Sequence, residues 1–122
     1  MNNILTILGI SFVLLIAFTN LSSLTFVEAQ NYPQKTNATI LLDSTNLGDK
    51  SYQPNPIELP VWGSVSWTND DRISHSVTAI EGEFDSGIMR PDEIFEYTFD
   101  KAGGFDYYCM LHPSMTGRVV VR

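Results

Sequence analysis

Four side chains able to bind a soft or borderline transition metal occupy telling positions in this 122-residue chain. Cys109, His112 and Met115 follow one another at three-residue intervals within Cys109-Met110-Leu111-His112-Pro113-Ser114-Met115. The one other histidine is His75. A thiolate and two imidazoles make a trigonal plane, and a thioether supplies a weak, long axial bond. That donor set is the one copper uses for electron transfer. It suits Cu(I) and Cu(II) about equally, so little need rearrange when an electron moves. Ligation would also strip the proton from Cys109.

Taken singly, each residue has an ordinary explanation. A lone Cys in a strand is usually a small buried hydrophobe. His75 in an alternating segment would be structural, Met115 core filler, and His112 an exposed loop residue. The four together at this spacing favour a metal centre. Zinc prefers four firm tetrahedral ligands, and a thioether makes a poor fourth. The chain has a single Cys, so no internal disulfide can form. An odd Cys in an exported chain calls for another use, and metal ligation is the natural one.

The elements that must position these donors read as strands. Thr39–Leu42 is short and β-prone. Tyr52–Leu59 is extended, with Pro54 and Pro56 suiting an edge. Val65–Asn69 and His75–Ile80 alternate, and Phe84–Ile88 leads to a turn containing Pro91. Glu93–Phe99 alternates with Phe95, Tyr97 and Phe99 on one side. Gly103-Gly104 marks a turn, and Phe105–Cys109 and Arg118–Val121 complete the set. About eight short strands with turn residues every 8–12 positions indicate an all-β sandwich with Greek-key connections. Three donors then come from one loop between the last two strands, and His75 from an earlier hairpin.

The domain follows a different kind of segment. Residues 4–27 carry no charged side chain, and Val27-Glu28-Ala29 fits a signal-peptidase site. Residues 1–29 therefore read as a cleaved signal peptide. The alternative is a retained membrane anchor, since 4–27 is long enough to span a bilayer and would tether the domain. Met1-Asn2-Asn3 lacks the Lys or Arg usual in a signal. Residues 30–38 read as a linker and 39–122 as the copper-binding domain. Either way the domain is expected outside the cytoplasm, periplasmic or extracellular. Beyond residue 29 stand seven basic and 13 acidic side chains, a formal net charge of −6. That balance argues against nucleic acid, which needs a basic surface.

The C-x2-H-x2-M loop resembles that of the cupredoxin family, in particular its short-loop plastocyanin- and amicyanin-like group. The resemblance covers roughly residues 50–122. It is carried by Tyr52-Gln53-Pro54-Asn55-Pro56-Ile57, Val65-Ser66-Trp67-Thr68-Asn69-Asp70, His75-Ser76-Val77, Phe84-Asp85-Ser86-Gly87, Tyr97-Thr98-Phe99 and Tyr107-Tyr108-Cys109 through Met115-Thr116-Gly117. It implies one type 1 copper ion, with His75, Cys109 and His112 equatorial and Met115 axial. The residue after the first histidine ligand is usually Asn in the family, bridging two ligand loops, and here it is Ser76. A hydroxyl can make one such bond but not two, so the tie is looser or rerouted.

Strand alternation points Tyr107 and Phe105 inward with Cys109, and Tyr108 and Asp106 outward. Tyr108 then resembles an exposed aromatic beside the ligand Cys, a second electron route or an ordinary surface Tyr. Asp106, with Asp70 and Asp71, would add an acidic docking surface, although scattered charges are usually a solvated face. Met110, Leu111 and Pro113 would ring His112 with a small apolar patch suited to a transient redox partner.

The leading expectation is a monomeric, exported one-electron carrier between larger redox partners that is not itself an enzyme. A catalytic copper centre needs more histidines, and both are committed. The alternative is a copper-binding or delivery protein without a redox role. Such a protein would carry extra Met or His clusters, and Met89 is the only Met between Met1 and this loop.

Overall fold

A computed structural model describes residues 33–122. The signal or anchor reading of residues 1–29 and the start of the linker lie outside the described residues. Among the described residues, eight strands form two four-stranded sheets. They are β1 (Lys35–Ile40), β2 (Tyr52–Gln53), β3 (Ile57–Leu59), β4 (Ser64–Asn69), β5 (Thr78–Ala79), β6 (Ile94–Thr98), β7 (Gly103–Tyr108) and β8 (Thr116–Val121). One sheet has the order β2-β1-β4-β6 and the other β3-β8-β7-β5. The chain changes sheet at every connection from β2 to β7. Both sheets are mixed, because β1 runs parallel to β4 and β3 parallel to β8.

The sandwich closes because alternate residues of each strand are apolar. Ala38 and Ile40, Val65 and Trp67, Ile57 and Leu59, Tyr107, and Val119 and Val121 all enter one core. Its centre is aromatic. Trp67 meets Tyr107 of the opposite sheet edge-on at 5.5 Å, and Tyr52 meets the same ring at 4.9 Å. Edge-to-face pairs at such distances are the favoured arrangement. The alternation read in Glu93–Phe99 holds: Ile94, Glu96 and Thr98 are exposed, while Phe95 and Tyr97 are half-buried and Phe99 is buried.

Several strand readings shift. β1 starts at Lys35, inside the segment read as linker, because that stretch pairs with β4 from Lys35↔Ser64 onward. Pairing there overrides the polar composition of Lys35–Asn37. Tyr52–Leu59 is two strands in different sheets, with Pro54 and Pro56 between them, since proline cannot continue a ladder. Gly103 and Gly104 lie in β7, paired with Val121 and Val120, and do not form the turn.

A candidate metal centre at one end of the sandwich

The donors are placed by two short structures that meet. The first begins at the end of β4. Buried Asn69 donates from its side-chain amide to the carbonyls of Ile73 and Met89 and accepts the N–H of Asp71. The 69–75 segment is thereby folded back on itself, as Asx side chains do where the backbone turns. His75 then exchanges both backbone hydrogen bonds with Met89, at 3.0 and 2.8 Å. The expected strand over His75–Ile80 contracts to β5, and His75 sits in an isolated bridge before it.

The second structure is the β7–β8 loop. Cys109 N–H donates to the Met115 carbonyl and Met115 N–H to the His112 carbonyl, at 3.1 and 3.0 Å. Those two bonds close Cys109–Met115 into a compact turn that aims three side chains at one place. Ser76 joins the two structures. Its N–H donates to Cys109 Sγ at 3.3 Å, and its hydroxyl oxygen accepts Met110 N–H at 2.8 Å. Tyr52 Oη donates to the Ser76 carbonyl at 2.6 Å, pinning the same residue from the core side.

His75, Cys109 and His112 come together as the spacing anticipates. One donor atom from each lies within 4.8 Å of the others. Cys109 Sγ is 3.7 Å from His75 Nδ1 and 3.7 Å from His112 Nδ1, and the two nitrogens are 3.2 Å apart. Bonds of about 2.0 Å from nitrogen and about 2.3 Å from sulfur to one shared ion put donors at such separations. The donor set therefore fits a single metal ion. His75 and Cys109 are fully buried and His112 is half-buried.

Met115 is also fully buried. Its Sδ lies 3.8 Å from Ser44 Oγ, which is itself 3.3 Å from His75 Nε2. That contact lies on the Nε2 side of the His75 ring, while the backbone bonds to Cys109 and His112 fix Met115 in the ligand loop.

Sequence reading placed Asp71 among scattered surface acids, and the structure corrects this. Asp71 is only 5 % exposed. Its Oδ2 lies 2.7 Å from His75 Nε2. The carboxylate also accepts the N–H groups of Asp43 and Arg72, at 3.0 and 2.8 Å, and Ser44 Oγ lies 3.3 Å away. Burial alone would raise its pKa. The hydrogen bonds from His75 and the two amides outweigh that and hold the carboxyl well below the usual carboxylate range. A carboxylate facing Nε2 assigns the ring proton there and leaves the Nδ1 lone pair for the metal. The only sequence signal was the four-residue interval from Asp71 to His75, which has meaning only once the loop folds back. Of the other two acids, Asp70 is exposed and Asp106 is ion-paired with Arg118 at 2.8 Å on the surface.

No protein-family model matches the chain. Among curated proteins it is 38% identical over 63 residues to the amicyanin of Paracoccus versutus, covering 48% of each chain. It is 28% identical over 81 residues to the amicyanin of Paracoccus denitrificans, covering 62% of each. Among solved structures it is similar to a purple cupredoxin from Nitrosopumilus maritimus, with a TM-score of 0.65 and 30% identity. That match covers 71% of this chain and 99% of the other.

The chain belongs to the cupredoxin family.

It spans between about half and three-fifths of the length of those two curated relatives. Cupredoxins bind type 1 copper, and the cluster of this cupredoxin has the donors and separations for one such ion. The apolar residues flanking half-buried His112 in the chain face outward and do not pack under the loop. Met110 is 52% and Leu111 46% exposed, and Pro113 is exposed as well. Tyr108, read as outward-facing, is half-buried, while Phe105 is half-buried and Tyr107 fully buried on the inner face.

Proposed function

We propose that this cupredoxin is a small exported one-electron carrier in which His75, Cys109, His112 and Met115 hold one copper ion. The observation that carries the reading is the arrangement of the three closest donors: two are sealed in the core and the third, His112, reaches the surface. When bound, copper supplies a one-electron Cu(II)/Cu(I) couple.

The chain's own residues do the rest. Asp71 and the backbone pair with Met89 fix the His75 ring and its tautomer. The Ser76 N–H bonded to Cys109 Sγ spreads part of the thiolate charge. Burial of His75, Cys109 and Met115 keeps water from the donors and holds their spacing in both oxidation states. His112 offers the short route outward, through the apolar patch of Met110, Leu111 and Pro113. A patch of that size favours brief encounters with a redox protein over a lasting complex.

The protein itself catalyses nothing in this reading. An independent catalytic copper needs further imidazoles, and the chain's two histidines face each other 3.2 Å apart. Residues 4–27 direct the domain out of the cytoplasm, whether cleaved or kept as a tether.

Voltammetry of the copper-loaded protein, combined with copper transfer to a weak chelator, tests this. A reversible one-electron wave with slow copper loss is expected. Rapid copper loss without a reversible wave would instead favour a delivery protein and overturn the carrier reading.

A further inference from the structure

Ser76 stands where a bridging Asn is usual, and a hydroxyl has only one proton to give. The structure shows where that proton goes. Ser76 Oγ accepts Met110 N–H at 2.8 Å and lies 2.9 Å from Thr78 Oγ1. Thr78 Oγ1 in turn donates to Asp85 Oδ1 at 3.2 Å. Asp85 Oδ1 also accepts the N–H of Gly87 at 2.9 Å, and Thr78 and Asp85 form an isolated backbone bridge. Ser76 and Thr78 are buried, while Asp85 is exposed.

The direction of the chain follows from donor counting. A carboxylate accepts only, so the single Thr78 proton goes to Asp85. The Thr78 oxygen is then left as an acceptor, and the Ser76 proton goes to it. The Ser76 lone pair is then left for Met110 N–H. Each bond polarises the next, so a chain ending on a carboxylate makes Ser76 Oγ a better acceptor than an isolated hydroxyl. Met110 is the residue after Cys109, and the Ser76 N–H is itself bonded to Cys109 Sγ. Ser76 therefore holds Cys109 at its sulfur through the backbone N–H and the Cys109–Met110 peptide at its N–H through the hydroxyl.

We propose that Ser76, Thr78 and Asp85 form a one-way hydrogen-bond relay, ended by the Asp85 carboxylate, that positions the Cys109–Met110 peptide and thereby sets the orientation of the thiolate. These are positioning residues. They touch no metal, and they do with three short side chains what one amide does elsewhere in the family. The relay also ties the ligand loop to the 84–88 segment, so a change at the surface near Asp85 reaches the metal site through two buried hydroxyls.

The test compares Ser76→Ala, Thr78→Val, Thr78→Ser and the double variant S76A/T78V. The first readout uses the metal-free protein: hydrogen exchange of the Met110 amide, with the Trp67 and Tyr107 amides as a control for an intact core. Loss of the relay bond should speed Met110 exchange by about tenfold in S76A and T78V. T78S keeps the hydroxyl and should stay near wild type. The second readout is the position of the thiolate absorption band and the reduction potential with copper bound; this arm rests on the copper reading. S76A and T78V should shift both in the same direction, and the double variant should shift no further than S76A alone. Met110 exchange unchanged in T78V with an intact core, or fully additive shifts in the double variant, overturns the relay. Absence of any band in the wild type would sink the copper reading, while the exchange result would still decide the relay.

Discussion

His75 Nε2 and Asp71 Oδ2 are 2.7 Å apart and both side chains are buried, so an acid four residues upstream governs which nitrogen of the first ligand faces the metal. A ligand histidine held by a carboxylate binds more strongly and keeps one orientation. Asp71 is in turn held by two backbone amides, with the Ser44 hydroxyl close by, so its position does not depend on the metal.

Replacing Asp71 by Asn keeps the shape and removes the charge. Copper affinity should fall about 10–100-fold, measured by competition with a chelator. The reduction potential should rise, because a less basic imidazole stabilises Cu(II) less. Unchanged affinity and potential would show that the carboxylate serves only to fold the loop.

The second ligand structure depends on a close approach. A Cβ at Gly117 would collide with the ring of Tyr107, which is already packed edge-on against Trp67 and Tyr52. Gly117→Ala should therefore destabilise the fold by about 1–3 kcal/mol in urea unfolding, as overpacking a filled core does. Gly82 differs in kind: its Cβ would meet nothing within 4 Å, but its φ of +85° is one that side chains rarely adopt, so a substitution there strains the backbone instead of the core.

Tyr107 also sets an alkaline limit. Burial pushes its phenol up to about 12 from the ordinary 10.0, partly offset by the hydrogen bond from Trp67 Nε1. The folded state thus holds the phenolic proton more tightly than the unfolded chain. This contribution is complete below pH 10 and is lost as the pH rises from 10 through 12. It amounts to about 2–3 kcal/mol. Stability followed by denaturant titration should fall across that window, and Tyr107→Phe should flatten the fall. A wild-type curve no steeper than the variant's would contradict the assignment.

The sequence showed the site's donors plainly but not their support. Cys109 and His112 were legible because they share one tight loop, where spacing in the chain is spacing in space. His75 was legible because the chain has only one other histidine. The strands with strict alternation, such as β6, were legible for the same local reason. Asp71 was hidden because nothing local distinguishes a buried acid from its exposed neighbour Asp70; burial is decided by Asn69 folding the loop back. The rerouting through Thr78 and Asp85 was hidden because it depends on β5 and the 84–88 segment meeting side by side. The start of β1 and the division between β2 and β3 were set by pairing partners distant in the chain, which override local composition.

The account rests on a thiolate–copper bond within a four-donor site. The most direct measurement is the visible spectrum of the metal-free protein titrated with Cu(II). An intense thiolate-to-copper band saturating at one ion per chain, bleached by a mild reductant and absent in Cys109→Ser, is the predicted result. A colourless Cu(II) complex, or a band that survives the loss of Cys109, would contradict it.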